Sequence, residues 1–203
     1  MGGIECNKAL HMPLQNSAAL DFLLSRRSRP AKTLVAPAPT RAELEPLLTA
    51  AARTPDHGKL EPWRFIVVER GAMARLAELT SKAGERLGKD PADIAKGRSQ
   101  FELGQLAVVV VEVQSPSEKV PAIEQTYSAG AVCLSLLNAA LAAGWGANWL
   151  SGWVSHDAGF CSDAFDLAGN ERIAGLIHIA TESSKPPERP RPDVSAITTW
   201  VSA

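Results

Sequence analysis

The longest stretch of apolar and small residues in the chain runs from Val120 to Gly152. Pro121 suits a first helical position, Glu124 lies in the first turn and Gly144 suits a left-handed stop, so the pattern predicts a long helix between them. This helix shows no polar stripe, which indicates that it is covered on all sides. We expect the protein's own sheet to supply part of that cover and a second copy of the chain to supply the rest.

A membrane span is the alternative interpretation of this helix. It is disfavoured because the helix falls short of about twenty uninterrupted apolar residues. It also carries Glu124, Gln125 and Asn138. The segment Gly146 to Ser151, which follows the helix, has the pattern of a strand and is expected beside the interface between the two copies.

The remaining pattern predicts helices and strands in irregular alternation. Helices are expected from Asn16 or Ser17 to the Arg26–Pro30 segment, from the Thr40–Glu43 capping box to Ala52, from Ala72 to Ala83, from Asp90-Pro91 onward, and from Ser155 or Asp157 to Phe165. Strands are expected at Trp63–Glu69, Leu106–Val113 and Ile173–Ala180. Pro46 predicts a bend or a slipped start in its helix. This order favours a mixed sheet flanked by helices, and no Gly-rich dinucleotide turn follows any strand.

Composition predicts one globular domain. The chain has 203 residues, 45% of them hydrophobic, and a formal net charge of -1, which offers no electrostatic basis for binding nucleic acid. We expect residues 1–16 to form a loose tail and residues 17–203 a single domain with an extended basic C-terminal tail. Three widely spaced cysteines fit reduced thiols in the cytoplasm, and no Cys or His spacing predicts a metal site.

Three polar segments are candidates for chemistry: Arg26 to Arg29, Arg53 to Glu61, and Leu150 to Gly152 together with the basic tail. Two adjacent arginines followed by Ser28 suit a phosphate, because their N–H groups and the hydroxyl can donate several hydrogen bonds to one dianion. The simpler explanation is that both arginines complement the negative end of their helix. Histidine and lysine in the second segment are equally compatible with a solvated loop, and Cys133 is predicted to belong to the core.

Four motifs occur in a fixed order along the chain. They are R-R-S at Arg26–Ser28, T-P-D-H-G-K-L-E-P-W-R-F at Thr54–Phe65, S-A-G-A-V at Ser128–Val132 and N-W-L-S-G at Asn148–Gly152. Together they resemble the nitroreductase family, most closely its minimal bacterial branch of short NAD(P)H nitroreductases. The resemblance extends from about Ser17 to Ala180.

The resemblance implies an α+β fold with a mainly antiparallel central sheet flanked by helices. It also implies an intertwined homodimer that holds FMN between its subunits. The implied cofactor-binding residues are Arg26, Arg27 and Ser28 at the phosphate; Arg53, Pro55, Asp56, His57 and Lys59 from the opposite subunit; Leu150, Ser151 and Gly152 along the isoalloxazine; and a basic tail residue, Lys185, Arg189 or Arg191, of which we select Arg191. No residue is assigned as catalytic with certainty, because flavin N5 carries the hydride.

The activity implied by the resemblance is NAD(P)H-dependent reduction of nitroaromatics, quinones or similar electron-poor small molecules by a ping-pong scheme. An FMN-binding carrier or regulatory protein with little turnover is the alternative, and a purely structural dimer with capping arginines is a third possibility. The chain departs from the family pattern at Pro30, Lys59, Glu61 and Leu150, where relatives have a basic residue, Asn, Gln and Arg, respectively. The physiological substrate and the choice between NADH and NADPH therefore stay open.

Overall fold

The computed structural model describes residues 14–202, which form six helices, five strands and three short 3-10 turns. The helices are α1 (Ser17–Ser25), α2 (Arg41–Ala51), α3 (Arg70–Arg86), α4 (Pro91–Glu102), α5 (Ala122–Ala142) and α6 (Ala158–Phe165). The strands are β1 (Leu34–Val35), β2 (Trp63–Glu69), β3 (Leu106–Val113), β4 (Gly146–Leu150) and β5 (Glu171–Glu182). The 3-10 turns are Ala31–Thr33, His57–Lys59 and Trp153–His156. Most of the predicted N-terminal tail, together with Cys6, lies outside the described residues.

Side-chain caps set the starts of four helices, as the sequence predicted. The Asn16 side chain accepts the Ala19 N–H at 3.0 Å, and the Asp157 side chain accepts the Phe160 N–H at 2.7 Å. Thr40 and Glu43 form the reciprocal capping box of α2, and Asp90 caps α4. Each such cap satisfies a backbone donor that the first helical turn leaves without a partner.

Several predicted boundaries were wrong. Pro121 precedes α5 as its N-cap and is not its first residue, while α3 and β5 each extend beyond the predicted ends. The helix α2 starts at its capping box and continues through Pro46, so no slipped start occurs. Gly144, at φ +86°, does provide the predicted left-handed stop after α5.

The sheet is antiparallel at every pairing of the described strands, which corrects the mixed sheet suggested by the irregular alternation. Its order is β1-β5-β3-β2, and β4 also pairs with β5. The long strand β5 is therefore the central organising strand. The register of β5 against β3 shifts between Val110 and Val111, where one residue of β5 is skipped.

Two apolar layers cover the sheet, one on each face. Leu106, Val108 and Val110 of β3 pack with α2 and α5, whereas Val109 and Val111 pack with α3, α4 and α6. All four valines are completely buried, as the run Val108–Val111 predicted for a strand covered on both faces.

The helix α5 is covered by its own chain on one side only. Cys133 and Leu136 are fully buried against the sheet, but Ile123, Tyr127 and Leu134 are 51%, 68% and 44% exposed. The described chain therefore leaves an apolar face of α5 without cover. Among residues 14–202, no helix combines the length and the apolar character that crossing a bilayer requires.

Candidate active site

The Arg-Arg-Ser segment follows directly after the last turn of α1. The backbone N–H of Arg26 donates to the Phe22 carbonyl at 2.8 Å, and its Nη2 donates to Ser28 Oγ at 3.2 Å. The Nε atoms of Arg26 and Arg27 are buried and have no hydrogen-bond partner among the described residues. A buried donor without a partner is energetically costly, so these two atoms indicate a site for an acceptor that the chain itself does not supply.

Cationic side chains from distant parts of the chain converge on this segment. Burial lowers the pKa of Arg26, and the neighbouring Arg191, Arg27 and Arg29 guanidinium groups lower it further. Arg191 itself donates through Nε to Glu188 Oε1 at 2.8 Å. The structure thus brings the selected tail residue, Arg191, into the electrostatic field of the Arg-Arg-Ser motif.

A cavity of about 690 Å³ lies beside these arginines. Arg26, Arg27, Arg29 and Lys185 are its cationic lining residues, and Glu182 and Glu188 are its anionic ones. Arg29 already pairs with Glu182 at 2.5 Å, which leaves Arg26, Arg27 and Lys185 as the lining cations without a salt bridge among the described residues. A surplus of positive charge with buried guanidinium donors is the arrangement that a phosphate dianion requires.

The predicted segment Leu150–Gly152 lines a second cavity of about 380 Å³. Ala31 and Lys32 form another wall, and one face of α4 closes the remaining side. This cavity lies at the end of β4, next to the start of the Trp153–His156 turn. The sequence did not predict the contribution of α4, which carries no motif and comes close only through the tertiary fold.

One extended segment joins the two cavities. Residues 26–32 run beside β4: the Arg29 N–H donates to the Ala147 carbonyl at 2.8 Å, and Asn148 Nδ2 donates to the Arg29 carbonyl at 2.5 Å. The arginine pair lies at one end of this segment, and Lys32 lies at the other. The geometry therefore places an arginine-lined cavity and a smaller, more apolar cavity along the same strand edge.

The loop that contains Arg53, Pro55, Asp56, His57 and Lys59 lines neither cavity. Its ordered contacts are with its own chain: His57 Nδ1 lies 2.7 Å from Glu124 Oε2, and Asp56 Oδ2 accepts the Glu61 N–H at 2.9 Å. Lys59 and Glu61 both adopt positive φ, at 54° and 46°. Such backbone conformations are uncommon for these residue types and give the loop a specific, compact shape.

The loop is anchored to α5 at two points. Thr54 is buried, and its Oγ1 lies 3.0 Å from Ser135 Oγ in the middle of that helix. Glu124, the partner of His57, lies in the first turn of the same helix. The single chain therefore holds these predicted residues against α5, away from the linings of the two cavities.

Within the part of the chain that the structure describes, no group of three or more His, Cys, Asp or Glu side chains could hold a metal ion.

Cys133 and Cys161 are free and buried, and burial raises their thiol pKa values to about 12 and about 11. These thiols are therefore not candidates for nucleophiles.

The fold and the order of the motifs place the chain in a known class. The profile of the nitroreductase family matches residues 23–181, and the protein belongs to that family. It is therefore an oxidoreductase, and the resemblance drawn from the four motifs is confirmed.

Two relatives cover most of the chain. The Escherichia coli K12 protein named "Putative NAD(P)H nitroreductase YdjA" is 33% identical over 167 residues, which cover 82% of this chain and 90% of the relative. A Haemophilus influenzae protein named "Putative NAD(P)H nitroreductase" is 35% identical over 169 residues, with the same coverage of each chain.

Solved structures confirm the α+β nitroreductase fold. A nitroreductase-like family protein from Bacillus cereus has a TM-score of 0.77 at 21% identity and covers 95% of this chain and 100% of its own. A Desulfovibrio desulfuricans protein described as "a putative nitroreductase in complex with fmn" has a TM-score of 0.73 at 17% identity and covers 93% of this chain and 99% of its own.

Proposed function

We propose that the protein is an FMN-dependent NAD(P)H oxidoreductase that reduces nitroaromatics, quinones or similar electron-poor small molecules in the cytoplasm. The observation that carries this proposal is the pair of buried, unpartnered Nε atoms of Arg26 and Arg27 at one end of a segment that leads to the cavity of Leu150–Gly152. When bound, FMN supplies a ring that takes hydride from NAD(P)H and delivers it to the acceptor.

The residues of this chain would bind and orient the cofactor. Arg26 and Arg27 donate charge-assisted hydrogen bonds to the phosphate, and Ser28 holds the Arg26 guanidinium in place. Arg191 adds positive charge at the same end. At the other end, the backbone N–H groups of Leu150–Gly152, which line the second cavity, would hold the ring.

A homodimer completes the proposed site. The exposed α5 residues Ile123, Tyr127 and Leu134 form an apolar patch that a second copy would bury. In the C-terminal tail, the Trp200 side chain is also 89% exposed. Because the loop of residues 53–59 is anchored to α5, packing two copies through this helix would bring each loop towards the partner's flavin. Arg53, His57 and Lys59 would then approach the ring from the opposite subunit.

The first experiment is an absorption spectrum of the purified protein, with release and identification of the cofactor. We expect bound FMN and oxidation of NADH or NADPH in the presence of a quinone or nitroaromatic. Bound FMN with negligible turnover would favour a carrier instead. Colourless protein whose melting temperature does not rise with added FMN would reject the flavin site, because a specific ligand stabilises the folded state.

Substitutions at the phosphate end test the assignment of residues. Arg26→Ala removes a charge-assisted donor and should weaken FMN binding by roughly 10- to 100-fold, and Ser28→Ala should weaken it by roughly 3- to 10-fold. Arg41→Ala is the matched control, because Arg41 is exposed on α2 and, within residues 14–202, forms a salt bridge with Glu45 alone. Light scattering should give the mass of a dimer for all variants. Unchanged FMN affinity in both Arg26→Ala and Ser28→Ala would contradict the assignment.

A further inference from the structure

The segment that would hold the ring end of the cofactor makes few contacts of its own at Gly152. Apart from the two chain neighbours of this residue, no atom lies within 4 Å of its Cβ position. Among the residues that the structure describes, the Gly152 N–H also has no hydrogen-bond partner. The position of this N–H in the wall of the second cavity must therefore be set by the structure on either side of it.

The segment is anchored on both sides. On the N-terminal side, Leu150 is the last residue of β4, which pairs with β5. On the C-terminal side, the turn Trp153–His156 begins at the next residue, and the Ser155 N–H closes it by donating to the Gly152 carbonyl at 3.0 Å. Trp153 is the residue of this turn that also lines the second cavity.

The Trp153 side chain contacts α3, α4 and the turn between them. Its Nε1 donates to the Asp93 carbonyl, in the first turn of α4, at 3.3 Å. The Lys89 ammonium group, which lies between the two helices, is 5.8 Å from the indole centroid. Both helices also present a glycine to the indole: a Cβ atom on Gly84 would lie 3.3 Å from it, and a Cβ atom on Gly97 would lie 3.1 Å from Nε1. The indole is therefore wedged between two helices that can approach it closely because neither has a side chain there.

We propose that Trp153 is a positioning residue for the flavin ring: its indole, held by α3 and α4, fixes the adjacent Gly152 N–H in the wall of the second cavity. The inference rests on the proposed flavin oxidoreductase function and adds to it a residue through which α4 acts on the ring end of the site. An N–H donates a stronger hydrogen bond to an anionic acceptor than to a neutral one, and the anionic reduced ring carries a charge that the oxidised ring lacks. Displacing Gly152 should therefore weaken the binding of reduced FMN more than that of oxidised FMN.

The ratio of these two affinities tests the proposal. The dissociation constant of oxidised FMN is measured from the fluorescence of cofactor released on dilution of the holoenzyme. A reductive titration against a reference dye then gives the midpoint potential of bound FMN, which reports the ratio of the dissociation constants of reduced and oxidised FMN. Trp153→Phe keeps an aromatic ring but removes the donor to the Asp93 carbonyl. It should raise this ratio by about 3- to 10-fold, the effect of one weakened hydrogen bond.

A second variant perturbs the same contact from α4. In Gly97→Ala the new Cβ atom would lie 3.1 Å from Trp153 Nε1 and 3.2 Å from Cζ2, so the indole must shift by a few tenths of an ångström, which the fold can accommodate. The ratio should rise by about 2- to 5-fold. The same substitution should have a smaller effect in a Trp153→Phe background, because the indole atoms that the new methyl group meets are absent there.

Two controls separate this effect from others. Gly71→Ala changes a glycine of α3 whose Cβ position, apart from its chain neighbours and the helix backbone, meets no atom within 4 Å, and it should leave the ratio unchanged. Arg26→Ala, at the phosphate end, should weaken the binding of oxidised and reduced FMN equally, because the phosphate has the same charge in both.

The outcomes distinguish this inference from the proposed function. A ratio that stays at the wild-type value in both Trp153→Phe and Gly97→Ala, with Tm showing that both are folded, would overturn the inference, because a merely structural role lowers both affinities together. Fully additive changes in the double variant would also overturn it. In either case bound FMN and quinone reduction would persist in the wild type, so the proposed function would stand. Wild-type protein that binds no FMN would instead contradict the proposed function, and this inference with it.

Discussion

Replacing Gly175 with alanine tests the closest approach between β5, β4 and α5. A Cβ atom at this position would lie 2.3 Å from Trp149 Nε1, 2.8 Å from Trp149 Cδ1 and 2.9 Å from Cys133 Sγ. Cys133 is completely buried, so it cannot move into solvent to relieve the overlap, whereas Trp149 is 37% exposed and can shift outward. The cost must therefore be shared between strain in the core and displacement of the Trp149 ring.

The magnitude follows from two opposing effects. Overpacking a well-packed core costs about 1–3 kcal/mol, and three contacts shorter than 3.0 Å place Gly175→Ala at the upper end of that range. In the opposite direction, alanine reduces the conformational freedom of the unfolded chain relative to glycine. That reduction adds roughly 0.5–1 kcal/mol to the free energy of unfolding. We expect a net loss of about 2 kcal/mol in the free energy of unfolding, or a decrease of about 4–8 °C in Tm for a chain of this length.

Thermal unfolding at fixed protein and saturating FMN concentrations measures this loss, because bound ligand and oligomeric state both affect apparent stability. Gly71→Ala is the matched control: apart from its chain neighbours and the backbone of α3 itself, no atom lies within 4 Å of its Cβ position, so it should be neutral or slightly stabilising. Combining Gly175→Ala with Cys133→Ala removes one of the clashing atoms, so the double variant should lose less than the sum of the single changes. A Gly175→Ala protein as stable as the wild type would refute the reasoning.

Two further predictions concern titratable groups. Hydrogen bonds from Arg64 lower the pKa of Glu171 to about 2 from an ordinary value of 4.5. This pair contributes about 1 kcal/mol or less to the free energy of unfolding. The contribution is present above pH 4.5 and is lost as the pH falls through about 2. In urea unfolding, the free energies of unfolding of Glu171→Gln and the wild type should therefore converge over that interval. Because burial raises the pKa values of Cys133 and Cys161 to about 12 and 11, iodoacetamide at pH 8 should modify both thiols slowly in folded protein and quickly in urea, as judged by mass spectrometry. Equal rates in the two conditions, or a constant difference in stability across the acid range, would contradict these expectations.

Local signals along the chain predicted the elements well. The caps at Asn16, the Thr40–Glu43 box, Asp90 and Asp157 all connect atoms no more than three residues apart, so the sequence alone contains the whole interaction. The buried strand β3 was likewise predicted at its observed bounds, because four consecutive valines suit a strand covered on both faces. The ordered motifs predicted the family, which the comparisons confirm.

The assembly of the site depended on contacts that no local pattern encodes. The approach of Arg191 to Arg26, and the position of α4 and Lys96 beside Leu150–Gly152, both result from how helices and strands distant in sequence pack around β5. The pairing of strands was decided in the same way, since antiparallel order in the sheet depends on which apolar faces fit together. The sequence by itself therefore determined the elements and the family, because caps and hydrophobic periodicity act over a few residues. Only the tertiary structure decided which charges share a cavity, because that depends on packing across the whole core.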